Sequence, residues 1–146
     1  MCIDTLNDLS DTLGIQNFQK FFPIILTDRG TEFLFPEALE CDRNGEIKTK
    51  IFYCDPQASW QKPQIERNHE FIRFVLPKVH SFDHLSQEDI NLLRDHINSY
   101  SRLQYNGSTP YQLSRLLIDN KLHDMLKFGY IAPDDVILKP SLLKKR

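Results

Sequence analysis

Apolar side chains recur at helical spacing at the start of the chain, and a glycine follows the last of them. These residues are Ile3, Leu6, Leu9, Leu13 and Gly14. Apolar positions three and four apart share one face of a helix, and glycine commonly ends one. The pattern therefore predicts a first helix that stops at Gly14.

Two short segments carry strand patterns. The apolar run from Phe21 ends in the polar turn Asp28-Arg29-Gly30, which predicts a buried strand with a loop at its carboxyl end. Residues 48–54 alternate weakly and predict a second strand, which ends at Asp55-Pro56.

The segment between these strands predicts a helix and a turn. Residues 32–39 have the composition of a short helix that Pro36 interrupts, because proline lacks the amide donor that a helix interior needs. Residues 42–46 predict a turn with hairpin chemistry.

The second half of the chain reads as helical. Residues 61–76 predict a central helix, which Pro63 is well suited to begin and which Pro77 ends. On its wheel Ile65, Ile72 and Leu76 share one direction, with His69 beside them.

Start and stop signals place three further helices after it. Ser86 with Asp89 resembles a capping box, and Thr109-Pro110 is a helix cap followed by a proline at the first helical position. Leu113, Leu116 and Leu117 continue the helix after Pro110. Leu122, Met125 and Leu126 indicate a last helix, closed by Gly129.

Composition describes an ordinary globular chain. It has 146 residues, of which 40% are hydrophobic and 26% charged, values that exclude a disordered tail, a collagen-like fibre and a coiled coil. Its apolar runs are shorter than the roughly 20 residues of a membrane span, and its acidic, amphipathic start is unlike a signal peptide. We expect a cytoplasmic protein without a membrane partner, with Cys2, Cys41 and Cys54 as reduced thiols.

Charge argues against a general nucleic-acid binder but leaves room for a local one. The net charge is −2, yet the segment from residue 60 to residue 78 carries four basic side chains against two acidic ones. The DNA-binding candidates are Trp60, Lys62, Arg67, Arg73 and Lys78. The alternative is a solvated helix face on which Arg73 pairs with Glu70.

Two carboxylates are candidates for metal chemistry. Asp28 closes the first predicted strand, and Glu66 lies on the polar shoulder of the central helix. Carboxylate oxygens are the ligands that hard divalent cations prefer. The alternative is an ordinary turn aspartate and a solvated glutamate. Glu66 and His69 also form half of a di-iron motif, but no second copy exists, and we expect His69 to be packed and hydrogen-bonded.

The sequence motifs around these carboxylates resemble those of a known family. Residues 27–33, TDRGTEF, resemble the signature around the second acidic residue of DDE transposases and retroviral integrases. Residues 52–56, 59–62, 66–73 and 76–78 look like the segment that carries the third acidic residue. The sequence most resembles bacterial transposases of the insertion-sequence-thirty family, and the similarity continues through Asn98-Ser99-Tyr100 and Thr109-Pro110-Tyr111.

The resemblance implies an α/β fold, a partial ribonuclease-H-like integrase core with few strands flanked by helices and a helical C-terminal part. In that family three acidic residues bind two Mg²⁺ or Mn²⁺ ions, which activate water and then a DNA 3′-hydroxyl for attack on phosphodiesters. By motif match Asp28 is the second acidic residue and Glu66 the third, both catalytic and metal-binding. DNA, as transposon ends and target, is the implied partner.

Departures from the family pattern change the expected activity. The first acidic residue of the family has no good match, since Asp4, Asp8 and Asp11 lie in the pattern of the first helix. Arg29 stands where the family usually has asparagine; it would weaken metal binding, contact a phosphate or point into solvent.

We therefore expect the C-terminal part of a transposase, with a truncated catalytic core over residues 1–118 and a helical extension over 119–146. Metal binding should be weak and catalysis crippled. An unpaired sheet edge would favour self-association or association with full-length transposase. The alternatives are a non-catalytic DNA-binding or transposase-interacting module and a degenerate gene product.

Overall fold

A computed structural model describes residues 2–55, 63–78, 81–118 and 120–143. The chain folds as two compact units, Met1–Gln61 and Lys62–Arg146. Each unit has its own architecture and is described by itself. The predicted division into a core over 1–118 and an extension over 119–146 stays a prediction.

The N-terminal unit begins with two helices that meet at a glycine. Helix α1 is Cys2–Leu13 and helix α2 is Ile15–Phe21. Gly14 between them has a φ of 76°, a left-handed conformation that glycine adopts without a steric penalty. The first helix ends where the sequence predicts. Helix α2 was not predicted; it buries Phe18 completely.

A two-stranded parallel sheet follows these helices. Strand β1 is Ile24–Thr27 and strand β2 is Lys50–Tyr53, with Ile24 opposite Lys50 and Thr27 opposite Tyr53. Both predicted strands are present, though each is shorter than its pattern. The prediction that the first strand is buried is wrong, because Ile24 and Leu26 are 60% and 43% exposed on this two-stranded sheet. Helix α3, Pro36–Glu40, lies between them in the chain after a single 3₁₀ turn at Thr31–Phe33. Pro36 begins this helix rather than interrupting one, because a first-turn amide needs no helical partner.

Side chains complete the hydrogen bonding around the short sheet. A carboxylate oxygen of Glu40 accepts the outward-facing Ile51 N–H at 2.9 Å, and Thr49 Oγ1 donates to the Phe22 carbonyl at 2.6 Å. Lys48 is fully buried, and its ammonium donates to the Cys41 carbonyl at 2.8 Å and to Asn7. Burial lowers the pKa of Lys48, while the nearby Asp42 opposes that change.

The turn predicted at residues 42–46 is present. The Asp42 carboxylate accepts the N–H groups of Asn44 and Glu46, each at 2.8 Å, and Gly45 takes a φ of 85°. Cys41 and Ile47 form an antiparallel bridge across the turn. Arg43 reaches from the turn to Asp8 and Asp11 of α1, at 2.7 and 2.6 Å.

The C-terminal unit is helical within the described residues. Its helices are α4 at Pro63–Val75, α5 at Gln87–Ser99, α6 at Pro110–Leu117 and α7 at Asn120–Leu126. The predicted capping box of Ser86 with Asp89 forms at the start of α5. Thr109 is the predicted cap of α6, and there it also forms a capping box with Gln112, which was not predicted. Single 3₁₀ turns lie at Leu103–Tyr105, Pro133–Asp135 and Pro140–Leu143.

The core of this unit forms between α4, α5 and the last described segment. Its buried members are Phe71, Val75, Leu76, Leu93 and Ile97. Ile72, Leu138, Leu142 and Leu143 pack against them from the sides. The buried face of α4 therefore centres on Phe71 and Val75.

That face corrects two expectations for α4. His69 is exposed, so the prediction of a packed histidine is wrong. Ile65, which was predicted to share the buried direction, is 42% exposed. The apolar stripe is rotated toward Phe71 because the ring packs against Tyr100, with centroids 5.2 Å apart. The helical-wheel prediction did not include Phe71 in the buried face.

Polar side chains of α5 hold the segment that follows α7. His96 Nδ1 accepts the Ile137 N–H at 3.0 Å, and Ser99 Oγ accepts the Ile131 N–H at 2.9 Å. Arg94 donates to the carbonyls of Leu126 and Lys127, at 2.9 and 2.8 Å, and so caps the end of α7. These bonds replace main-chain pairing where the segment has no regular structure.

Cys2, Cys41 and Cys54 are free thiols, and Cys54 is buried. No helix among the described residues has the length and apolar character that crossing a membrane requires. Leu116 and Leu117 of α6 are about four-fifths exposed, so that apolar stripe is not packed against the described residues of its unit. The ribonuclease-H-like assignment stays a prediction.

The buried His96 predicts acid sensitivity. Burial lowers the pKa of His96, although Asp95 and Asp135 act in the opposite direction. Protonation would also remove the acceptor that holds the Ile137 N–H. Because the unfolded chain then binds more protons than the folded one, stability should be complete above about pH 6.5 and decrease as the pH falls below it.

The measurement is the urea midpoint at about pH 7.5 and about pH 5.5. We expect His96→Gln to flatten the pH dependence of the midpoint, whatever its effect on absolute stability. The matched control is His84→Gln, since His84 is exposed and should leave the dependence as it is in the unsubstituted chain. An equal pH dependence in all three proteins would contradict this assignment.

Candidate functional site

Asp28 lies directly after strand β1, at its carboxyl end. Its carboxylate Oδ1 accepts the Gly30 N–H at 3.1 Å, which fixes the side chain in a tight turn, and the residue is exposed. Ligand sites in open α/β sheets gather at the carboxyl ends of strands. The N-terminal unit therefore presents this carboxylate where such a site would need it.

Arg29 follows it on the same turn and is exposed. It lines a cavity of about 300 Å³ together with Phe33, Leu34, Pro36 and Tyr53. The Tyr53 hydroxyl donates to the Phe33 carbonyl and closes one wall of that cavity. The Arg29 guanidinium thus lies beside an apolar surface, next in sequence to the carboxylate of the candidate site.

Glu66 lies in the first turn of α4, in the C-terminal unit. It is exposed, as the helical pattern predicts for a polar shoulder. A carboxylate in a first turn interacts favourably with the positive end of the helix dipole. Asp28 and Glu66 belong to different units, so their pairing at one metal ion stays a prediction.

The basic candidates divide into described and undescribed residues. Arg67, Arg73 and Lys78 are exposed along α4 and just after it. Trp60 and Lys62 lie outside the described residues. Glu70 pairs with Arg67, at 2.8 Å, and not with Arg73 as the alternative interpretation held. The exposed side chains are available to anions in the surrounding solution.

Sequence reasoning missed Arg102, in the loop after α5. This residue is 8% exposed, and its Nη2 donates to Asn68 Oδ1 of α4 at 3.0 Å. Its guanidinium carbon lies 4.8 Å from the centroid of the Phe71 ring. A lone arginine in a polar loop carries no periodic signal, so only its contacts with α4 reveal it.

The described residues contain no complete cluster of metal-ligating side chains. Across residues 2–55, 63–78, 81–118 and 120–143, no group of three His, Cys, Asp or Glu side chains is placed to hold a metal ion. Asp28 and Glu66 have the oxygen donors that Mg²⁺ prefers. The described residues thus include two candidate carboxylates, one in each unit, and exposed cations along α4.

Known relatives are transposases of insertion sequences. The chain is 26% identical over 90 residues to the transposase for insertion sequence element IS1086 of Cupriavidus metallidurans. It is 24% identical over 106 residues to that of IS4351 of Bacteroides fragilis, and 28% identical over 86 residues to the transposase InsI of IS30A of Escherichia coli. The matched residues cover 59%, 73% and 59% of this chain.

The similarity is partial with respect to the relatives. The chain spans 26%, 31% and 21% of the lengths of these three proteins. No protein-family model matches the chain, and no solved structure matches it significantly. The chain is thus similar to insertion-sequence transposases over part of their length.

Proposed function

We propose that this chain is a transposase-derived protein that acts on DNA. The observation that carries the proposal is its similarity to three insertion-sequence transposases from different bacteria. The sequence motifs around Asp28 and Glu66 also support it, because they resemble those of the insertion-sequence-thirty family. The function proposed is related to metal-dependent DNA cleavage and strand transfer.

The proposed fold is a partial ribonuclease-H-like core. It is supported by the parallel pairing of β1 with β2 and by the position of Asp28 at the carboxyl end of β1. The helical elements after β2 agree with the helical C-terminal part that the resemblance implies.

The donor chemistry of the two carboxylates fits a hard divalent cation. We assign Asp28 and Glu66 as its ligands, with Mg²⁺ or Mn²⁺ as the ion. Such an ion, when bound, stabilises negative charge that develops during phosphoryl transfer. Because the family uses three acidic residues and this chain offers motif matches for two, we expect weak metal binding.

The remaining residues would position DNA rather than react with it. The Gly30 N–H holds the Asp28 carboxylate in one orientation. Arg67, Arg73 and Lys78 would attract backbone phosphates and orient a strand along α4. Placement and electrostatic stabilisation supply most of the rate in phosphoryl transfer, so these roles suit side chains without a nucleophile.

A second candidate is a non-catalytic module that binds DNA or an intact transposase. The exposed cations Arg67, Arg73 and Lys78 favour it, because DNA binding through backbone phosphates needs no metal. Under this alternative the carboxylates would be dispensable for the activity of the protein. The two candidates therefore predict different effects of the same substitutions.

The first test is strand transfer on matched transposon ends with Mg²⁺ or Mn²⁺. We expect little or no product from this chain, since the motif match supplies two of the three acidic ligands. The readout is the joined DNA product on a gel. Robust turnover that Asp28→Asn abolishes, and that Asp124→Asn on the exposed face of α7 leaves intact, would contradict the predicted loss of catalysis.

The second test separates DNA binding from catalysis. The combined substitutions Arg67→Gln, Arg73→Gln and Lys78→Gln should nearly abolish binding of a DNA duplex, measured by fluorescence anisotropy. They should also reduce the salt slope by about 0.9 for each backbone phosphate that is no longer neutralised. Glu66→Gln should leave binding unchanged.

The matched control removes three exposed cations elsewhere in the same unit. They are Arg115, Lys121 and Lys139. If this control weakens binding as much as the first triple substitution, the array along α4 is not the DNA-binding surface. A chain that binds no duplex at low salt would contradict both candidates.

A further inference from the structure

A cavity of about 330 Å³ lies between α4 and the loop that follows α5. We call it the Arg102 pocket; its charged and aromatic lining is Arg67, Phe71, Tyr100 and Arg102. All four residues belong to the C-terminal unit. Its volume is at the lower end of the range for ligand pockets.

The side chain of Arg102 is largely buried, and its Nε donor has no partner among the described residues. Of its five N–H groups, one bonds to Asn68 Oδ1 at 3.0 Å. The Nε atom is buried and has no hydrogen-bond partner in the described part of the chain. Nor does any carboxylate of the described residues form an ion pair with Arg102. An unsatisfied buried donor is costly, and a buried unpaired charge more so.

A second cation lies against the same aromatic ring. The guanidinium carbons of Arg102 and Arg67 lie 4.8 and 5.6 Å from the Phe71 centroid. Burial lowers the pKa of Arg102, the nearby Tyr105 acts in the opposite direction, and the Arg67 charge makes a smaller contribution that lowers it. Arginine nevertheless stays protonated, so the two groups repel each other as cations. Glu70 offsets the charge of Arg67 only, from a position 55% exposed.

We propose that the Arg102 pocket binds a phosphate group of the DNA backbone. A phosphate would supply the missing acceptors for Arg102 and the missing counter-charge between Arg102 and Arg67. The planar fork of a guanidinium matches phosphate oxygens, and two such forks can share one phosphate. This inference rests on the proposed function and gives it one definite point of attachment to DNA.

The aromatic wall favours a nucleic acid over an acidic peptide. Tyr100 is 43% exposed at the rim of the pocket, where a neighbouring sugar or base can stack on its ring. A carboxylate would offer fewer oxygens to the two guanidinium groups. A phosphodiester and a free phosphate share the binding chemistry, so the experiment includes both.

The direct test compares Arg102→Gln with Arg115→Gln. Arg115 is an exposed arginine of the same unit and controls for the loss of one positive charge. We expect Arg102→Gln to weaken duplex binding about tenfold more than Arg115→Gln and to reduce the salt slope by about 1. Arg102→Lys should fall between the unsubstituted chain and Arg102→Gln, since lysine keeps the charge without the fork.

A second variant keeps the test decisive if Arg102→Gln does not fold. Asn68→Asp places a carboxylate at the position that already accepts from Arg102. This internal counter-charge should raise the melting temperature and weaken duplex binding about tenfold. The control for the added charge is Gln87→Glu at the exposed start of α5, which should leave duplex binding unchanged whatever its effect on the stability of that helix.

The outcomes separate this inference from the proposed function. Stabilisation of the unsubstituted chain by inorganic phosphate that is lost in Arg102→Gln, together with the duplex results above, supports the proposal. Phosphate stabilisation without an effect of Arg102 on duplex binding would assign the pocket to a free anion and overturn its role on DNA. Stronger Arg102-dependent binding of polyglutamate than of duplex would assign it to an acidic peptide instead.

Two further results overturn the proposal in different ways. If the chain binds duplex and Arg102→Gln and Asn68→Asp behave as their controls, the pocket is wrong while the proposed function stands. If the chain binds neither duplex nor phosphate, both are wrong. Circular dichroism of each variant confirms that a loss of binding is not a loss of fold.

Discussion

The structure depends on side chains that satisfy main-chain hydrogen bonds. Short helices and four-residue strands leave many N–H and C=O groups without a regular partner, and buried groups of this kind are costly. Glu40 accepts from Ile51, and Thr49 donates to the Phe22 carbonyl. In the other unit His96 and Ser99 accept main-chain N–H groups of the last described segment. The same device recurs in both units.

This constraint also shapes the surroundings of Asp28 and Arg102. The Gly30 N–H orients Asp28 at the end of β1, so a main-chain donor determines where the acidic group lies. Around α4 the device is incomplete, because Arg102 has one side-chain bond and a buried Nε without a partner in the described residues. A satisfied carboxylate and an unsatisfied guanidinium are physically different. The first is held in one orientation by a main-chain donor, and the second is a group that would gain from binding an anion.

Local signals in the sequence predicted much of the fold. Ser86 and Asp89, and Thr109 before Pro110, define helix starts through neighbouring residues alone, and both starts are confirmed. The packing of α4 depended on contacts that are distant in sequence: Phe71 is buried by Tyr100, and His69 is left exposed. Pairing of β1 with β2 and the burial of Lys48 are likewise set by tertiary contacts.

The residues of the candidate site also divide into those found from local sequence and those found only from tertiary contacts. Asp28 and Glu66 were found from contiguous sequence motifs. Asp28 lies at a strand end and Glu66 in the first turn of a helix, as the local sequence pattern predicted. Arg102 was missed because its environment is made by Asn68 and Phe71, more than 30 positions earlier. Contiguous sequence motifs reveal a family resemblance, whereas the role of an isolated charged residue can be inferred only from its contacts in the folded chain.

The central proposal is that Asp28 and Glu66 bind the same divalent cation. Paramagnetic broadening of backbone amide signals by Mn²⁺ tests it most directly. The account predicts that signals near both residues broaden over one range of Mn²⁺ concentration and that Asp28→Asn removes the broadening around Glu66 as well. Broadening around Glu66 that persists unchanged in Asp28→Asn would contradict a shared site.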